Sequence, residues 1–276
     1  MSSSKLSPNV SGVQTADVLY LKREAHHQHE KPFKLRYDPG EGIPRSNCTN
    51  ESCNIKIHDL RGNESSASLK SNGFAWLPLR SSLASEEFYD DEKKYWNIGQ
   101  APTPNRTTKL KRSSTQTRKT HEQFPIALGE PFEHLQPTTI VHIGETDMVI
   151  SPFAVQVLTG HRFYTFSVWK PLRGPVNDWP LALCDPRTVN QSEDLVAVDV
   201  VTREGCTENV QVYHSSRHSW YYLSDQFDTV ATLFSQVDTA QRGKAGVPHT
   251  GFQHSNAAVA SHPRESVELR AFLYYH

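Results

Sequence analysis

The chain has 276 residues, enough for one large domain or two small ones with a real core. Its 29 Lys and Arg against 30 Asp and Glu leave a net charge of -1, so no global field directs it to nucleic acid or a membrane surface. Hydrophobic residues make up 36%, a low share that predicts loosely ordered chain around a folded centre, and no apolar run approaches the roughly 18 residues of a membrane span.

The first residues, 1–16, are rich in Ser, Asn and Gly and read as a loose arm without the apolar stretch of a secretion signal. Cys48, Cys53, Cys184 and Cys206 follow no CxxC or zinc-finger spacing. Free thiols and a cytoplasmic location are therefore expected. Val18–Leu21 reads as a short strand, and His26, His27 and His29 as a solvated tract. Tyr37-Asp-Pro-Gly-Glu-Gly-Ile-Pro44 is a dense turn signal. Ile55–His58 alternates as a half-buried strand does, and Asp59-Leu-Arg-Gly62 turns the chain, leaving His58 and Asp59 on opposite faces. Ser85 caps the acidic start of a predicted helix through Lys94. From Asn97 to Pro137 the chain is polar and without period, a low-order insert carrying the basic residues Lys109, Lys111, Arg112, Arg118 and Lys119.

After Pro137 the texture changes. Thr139–Ile143, Phe163–Trp169, Leu195–Val201, Val210–Tyr213, Ser219–Leu223, Val230–Phe234 and Val267–Tyr274 are β-branched and aromatic runs punctuated by Pro, Gly, Asn or Asp. Short strands at this spacing predict a sandwich or barrel, with 138–276 as its best-defined half and 1–276 as a single domain. Trp169, Trp179 and Trp220 read as core or pocket wall, and Asp178 and Asp185 as turn caps.

A mononuclear iron site needs two imidazoles, usually one carboxylate, and open positions opposite them. His142 ends an apolar run and His249 begins a late strand or loop, as two such ligands would. Arg264 or Arg270 then offers a planar fork for a dicarboxylate. Ser266 has neither an elbow glycine before it nor a base nearby, so a serine hydrolase finds no support.

Particular stretches carry a resemblance. They are Glu30-Lys-Pro-Phe33, Tyr37-Asp-Pro39, Ile43-Pro-Arg45 and Ile57-His-Asp-Leu-Arg-Gly62 near the start. Towards the end come Trp169-Lys-Pro-Leu-Arg-Gly-Pro-Val176, Trp179-Pro-Leu-Ala-Leu-Cys-Asp185, Trp220-Tyr-Tyr222, Pro248-His-Thr250 and Arg264-Glu-Ser-Val-Glu-Leu-Arg270. In these the chain resembles the fungal AsaB-type hydroxylase/desaturase family, which includes a gibberellin desaturase and relatives of cephem methoxylases. The resemblance covers roughly 18–90 and 139–274.

It implies a mainly β fold, a double-stranded β-helix or jelly-roll barrel with a few flanking helices. It also implies an oxidoreductase of fungal secondary metabolism that uses iron(II), with 2-oxoglutarate as cosubstrate, on a small molecule. His142 and His249 would be the metal ligands, and Arg264 the 2-oxoglutarate clamp. A homo- or hetero-oligomer is compatible with it.

The chain departs from the family at the first ligand, where His-x-Asp becomes His142-Ile-Gly144-Glu145. Such a glycine resembles that of iron halogenases, Glu145 points to the opposite strand face, and Asp147 could reach back only from a loop. An iron-deficient member serving in binding, non-oxidative or accessory roles is the alternative. A second departure is Ser219, where the family tends to carry Arg; His218 and Trp220 remain, and Arg217 is a partial substitute.

Overall fold

The alternating runs do become strands, and they pair into two sheets. The computed structural model describes residues 12–79, 108–113, 137–146, 162–203, 205–238, 246–255 and 263–275. In chain order the strands are β1 (Gly12–Leu21), β2 (Phe33–Leu35), β3 (Asn50–Asp59), β4 (Phe74–Pro78), β5 (Thr108–Ser113), β6 (His142–Thr146) and β7 (Arg162–Pro171). They continue as β8 (Leu181–Cys184), β9 (Leu195–Val201), β10 (Cys206–Val212), β11 (Trp220–Tyr222), β12 (Val230–Asp238), β13 (His249–Gly251) and β14 (Ser266–Tyr275).

The larger sheet has the order β1-β3-β11-β8-β13-β6-β10-β9-β2, and the smaller one β4-β12-β7-β14-β5. Pairing is antiparallel except between β11 and β3 and between β2 and β9. This is the expected jelly roll, with helical structure in the described residues limited to single turns.

Two cores hold it. Ala16, Val18 and Tyr20 alternate inwards on β1 and meet Ile55, Ile57, Trp220, Tyr222 and Phe252. β1 also reaches across to the far strands: the Val141 N–H donates to the Leu19 carbonyl at 2.8 Å, and Leu21 bridges Tyr213. The larger sheet thus curls back on itself around this core. Trp220 is fully buried, and its Nε1–H donates to the Tyr20 hydroxyl at 3.0 Å, so the indole brings no unpaired polar atom inside. Burying one such side chain is worth about 1.5–3 kcal/mol. The second core fills the space between the sheets with Phe74, Trp76, Trp169, Leu183, Tyr221, Phe234 and Val247.

Several elements differ from the sequence reading. β1 starts at Gly12, so the last part of the arm expected to be loose, residues 12–16, is strand, paired residue for residue with β3 from Gly12–Asp59 to Leu21–Asn50. Residues 108–113, inside the supposed low-order insert, form the edge strand β5 against β14. The polar composition of that stretch suits an edge. Strands β2, β4 and β8 are too short to show a period. The helix predicted from Ser85 lies outside the described residues.

Candidate active site

His142 opens β6 and His249 opens β13, and antiparallel pairing sets the two directly opposite each other. Directly opposite residues share a face, and here the rings meet with centroids 4.3 Å apart at 49°. The His142 Nδ1–H donates to the Ile140 carbonyl at 2.9 Å, and the His249 Nδ1–H to the Val247 carbonyl at 3.0 Å. A carbonyl can only accept, so each Nδ1 carries the proton and each Nε2 keeps its lone pair. Burial holds both imidazoles neutral, pushing His142 down to about 3 and His249 to about 4. The neighbouring ring lowers His142 further, and Arg270 lowers both. Phe234 packs onto His249 from the opposite sheet, with ring centroids 4.7 Å apart.

Two residues past each histidine, on the same strand face, stands a glycine. Because β6 and β13 are antiparallel, Gly144 and Gly251 lie at opposite ends of the imidazole pair. At Gly251 a Cβ would lie 3.5 Å from Arg264 Nη1. Position 251, packed also against Pro137 and Thr138, therefore places the guanidinium a strand step of about 7 Å from His249. At Gly144 a Cβ would lie 2.5 Å from Gln236 Oε1 and 3.2 Å from Arg270 Nη2.

Arg264 lies two residues before β14 and is buried. Its backbone N–H donates to Asp178 Oδ2 at 2.9 Å, its Nη1–H donates to the Trp179 carbonyl, and the guanidinium lies 5.7 Å from the Trp169 ring centroid. Trp179 has φ 45, an unusual conformation for a bulky residue, costing about 1–3 kcal/mol unless its surroundings hold it. Arg264 is tied to both Asp178 and Trp179. Burial pushes its pKa down to about 10, against the pull of Asp178 and Glu268, so it stays cationic at neutral pH.

Two buried atoms here have no hydrogen-bond partner among the described residues: Arg264 Nε and, two positions on, Ser266 Oγ. A buried polar atom left unpaired costs about 1–3 kcal/mol, which a carboxylate placed between them would recover. The fit is therefore good for a dicarboxylate at Arg264 and for a metal at the two open Nε2 atoms.

The structure thus brings His142 and His249 together and sets Arg264 at one end of them. Arg270 sits at the other end, 4.0 Å from Glu268. The side chain of Glu145 and all of Asp147 lie outside the described residues. Arg217 pairs at the surface with Glu193 at 3.3 Å, while His218 Nε2–H donates to buried Asp194 at 3.2 Å. Asp178 does more than cap a turn, since it fixes the backbone of Arg264. Ser266 was weighed in the sequence only as a nucleophile, and Gln236 was not singled out. For Ser266 a signal was present in the Arg-x-Ser spacing, which puts both side chains on one strand face. The histidine tract is less free than expected: His27 Nδ1 lies 2.8 Å from the Tyr213 hydroxyl, and Glu24, His26 and His27 group within 4.8 Å of one another.

In chemical terms this is a pair of open imidazole nitrogens beside a buried arginine in a jelly roll, a set that fits one metal ion and one dicarboxylate. The chain belongs to the family described as Oxidoreductase/YMDC permease-like domain, whose model matches residues 18–274. It is 27% identical over 272 residues to the Fe(II)/2-oxoglutarate-dependent dioxygenase nvfI of Aspergillus novofumigatus, covering 94% of this chain and 96% of that protein. It is 26% identical over 129 residues to the hydroxylase/desaturase asaB of Aspergillus flavus, over 41% of this chain and 56% of the relative, which bears out the AsaB-type resemblance. The solved structure of the iron and alpha-ketoglutarate-dependent endoperoxidase NvfI, in a different conformation, shares the fold with a TM-score of 0.77 at 23% identity, over 96% of this chain and 98% of that one. No helix among the described residues is long and apolar enough to cross a membrane.

Proposed function

We propose that the chain is an iron(II)- and 2-oxoglutarate-dependent oxygenase of fungal secondary metabolism that hydroxylates or desaturates a small molecule. One observation carries this reading: two neutral, in-register imidazoles with open Nε2 atoms lie one strand step from a buried arginine whose Nε and neighbouring Ser266 hydroxyl lack partners. Iron(II), when bound, would couple oxygen activation to the oxidative decarboxylation of 2-oxoglutarate. His142 and His249 hold the metal through Nε2, and the Ile140 and Val247 carbonyls lock their rings and tautomers. Arg264 and Ser266 hold the distal carboxylate of 2-oxoglutarate. Trp169 and the Trp179 carbonyl fix the guanidinium plane, and Gly251 lies beside it. Phe234 and Val247 shed water from around His249.

In this reading residues 1–276 act as a single oxygenase-like domain, and the four free cysteines suit the cytoplasm. The test is an anaerobic titration of the metal-free protein with iron(II) and then 2-oxoglutarate, following the weak metal-to-ligand charge-transfer band. A band that appears with both additions and is lost in His249→Ala supports the assignment. Its absence at high protein concentration refutes it. The iron-deficient alternative draws on one observation, the lack of a carboxylate at Gly144.

A further inference from the structure

The place of the missing carboxylate is filled. Gln236, on β12 of the opposite sheet, points its carboxamide into the space that a side chain at position 144 would take. Its Oε1 accepts the Gly144 N–H at 2.9 Å and stands 2.5 Å from where the Cβ of residue 144 would be. That separation is close to the distance between Cβ and a carboxylate oxygen within an aspartate.

Three separate features of the chain create this placement. Gln236 sits at a β-bulge, where the register between β12 and β7 shifts between Ser235 and Val237, and a bulge re-aims the extra side chain. Gly246 packs so closely on Gln236 that a Cβ there would lie 2.7 Å from its Cα and carbonyl carbon, so only glycine lets the two backbones meet. Gly144 then leaves room for the side chain itself.

The hydrogen bonds also decide which end of the carboxamide faces position 144. Gln236 Nε2–H donates to Ser167 Oγ at 2.9 Å, and the Ser167 hydroxyl donates to Glu268 Oε1 at 2.7 Å. Since the Ser167 proton is used on Glu268, its oxygen must accept from Gln236, and the amide oxygen is left towards Gly144. That oxygen has a second lone pair after accepting from the Gly144 N–H. A chain ending on a carboxylate polarises the amide and pushes electron density onto Oε1.

We infer that Gln236 Oε1 is the third protein donor, completing with His142 and His249 a set of two imidazoles and one carboxamide. The inference rests on the iron reading above and adds that the third donor is neutral and comes from a different strand. It also sets the expected effect of Gly144→Asp. The aspartate would collide with Gln236, which is buried and bonded at both ends of its amide.

The test measures cobalt(II) affinity by calorimetry, and the cobalt d–d spectrum, on the full-length metal-free protein without turnover. Gln236→Ala should weaken cobalt binding by at least about tenfold, and Gln236→Glu should strengthen it. Gly144→Asp alone should not strengthen binding, whereas Gly144→Asp combined with Gln236→Ala should restore at least wild-type affinity. Circular dichroism and thermal melts check the fold of each variant, and should Gln236→Ala fail to fold, Gln236→Glu and the double variant carry the comparison.

Unchanged affinity in folded Gln236→Ala or Gln236→Glu overturns the carboxamide donor while leaving the iron reading standing. Full gain by Gly144→Asp alone does the same. Failure of the wild type to bind cobalt overturns both.

Discussion

Arg264 and Arg270 flank the two histidines at opposite ends, and only one of them can hold the distal carboxylate of 2-oxoglutarate. Conservative replacement separates them. Arg264→Lys keeps the charge and most of the buried stem but loses the planar fork. A hydrogen bond to a charged group is worth about 1.5–3 kcal/mol, so losing one of two weakens 2-oxoglutarate binding roughly 10- to 150-fold. Ser266→Ala should weaken it roughly tenfold by the same reasoning.

The two replacements differ in their effect on the fold. Ser266 Oγ has no partner among the described residues, so its removal forfeits no internal hydrogen bond and should leave stability unchanged or slightly higher. Arg264→Lys disturbs the contact with the Trp179 carbonyl and should lower stability modestly. The assay is calorimetric titration of manganese(II)-loaded protein with 2-oxoglutarate, beside urea melts of the metal-free variants. Arg270→Lys should bind 2-oxoglutarate much as the wild type does. If Arg270→Lys loses the affinity and Arg264→Lys keeps it, the clamp assignment is wrong.

Acid should destabilise the metal-free protein. Below about pH 6.5 the unfolded chain takes up protons on His142 and His249 that the folded chain refuses until about pH 4, so stability falls as pH drops through that window. At pH 5 the loss is about 2 kcal/mol for each of the two, and His142→Gln should remove its own share, about 2 kcal/mol, from the stability difference between pH 7 and pH 5 in urea unfolding. Trp220→Phe should cost about 2–4 kcal/mol in equilibrium urea unfolding, from a cavity in the first core and a lost buried hydrogen bond to Tyr20. Asp194→Ala should cost about 3–5 kcal/mol by the same measure. It removes a buried carboxylate that accepts from His218 Nε2, Arg217 Nη2 and the Asn190 N–H; a change below 1 kcal/mol would show that the cluster is surface ornament.

Much of the fold could be read from the chain before folding was considered. Val18–Leu21, Ile55–His58, Leu195–Val201 and Val230–Phe234 alternate or run apolar, and each lies within an observed strand. Alternation works because successive side chains on a strand take opposite faces, a local property. Strand β5 was hidden because an edge strand needs no apolar face, and β13 stayed open between strand and loop because three residues are too few to show a period.

The site divides along the same line. His142, His249 and Arg264 were legible because their residue types and surrounding wording are local features of the sequence. Which arginine faces which end of the histidine pair was not. It depends on two glycines and on the antiparallel register of β6 and β13, which only pairing decides. Gln236 lies 92 residues from Gly144 and left no trace that could be read beside it. The sequence read alone registered an absence at position 144. The tertiary structure answers it with a bulge in one strand, a glycine from the following loop and the packing of one sheet on the other, because sheet packing joins residues that no local period connects.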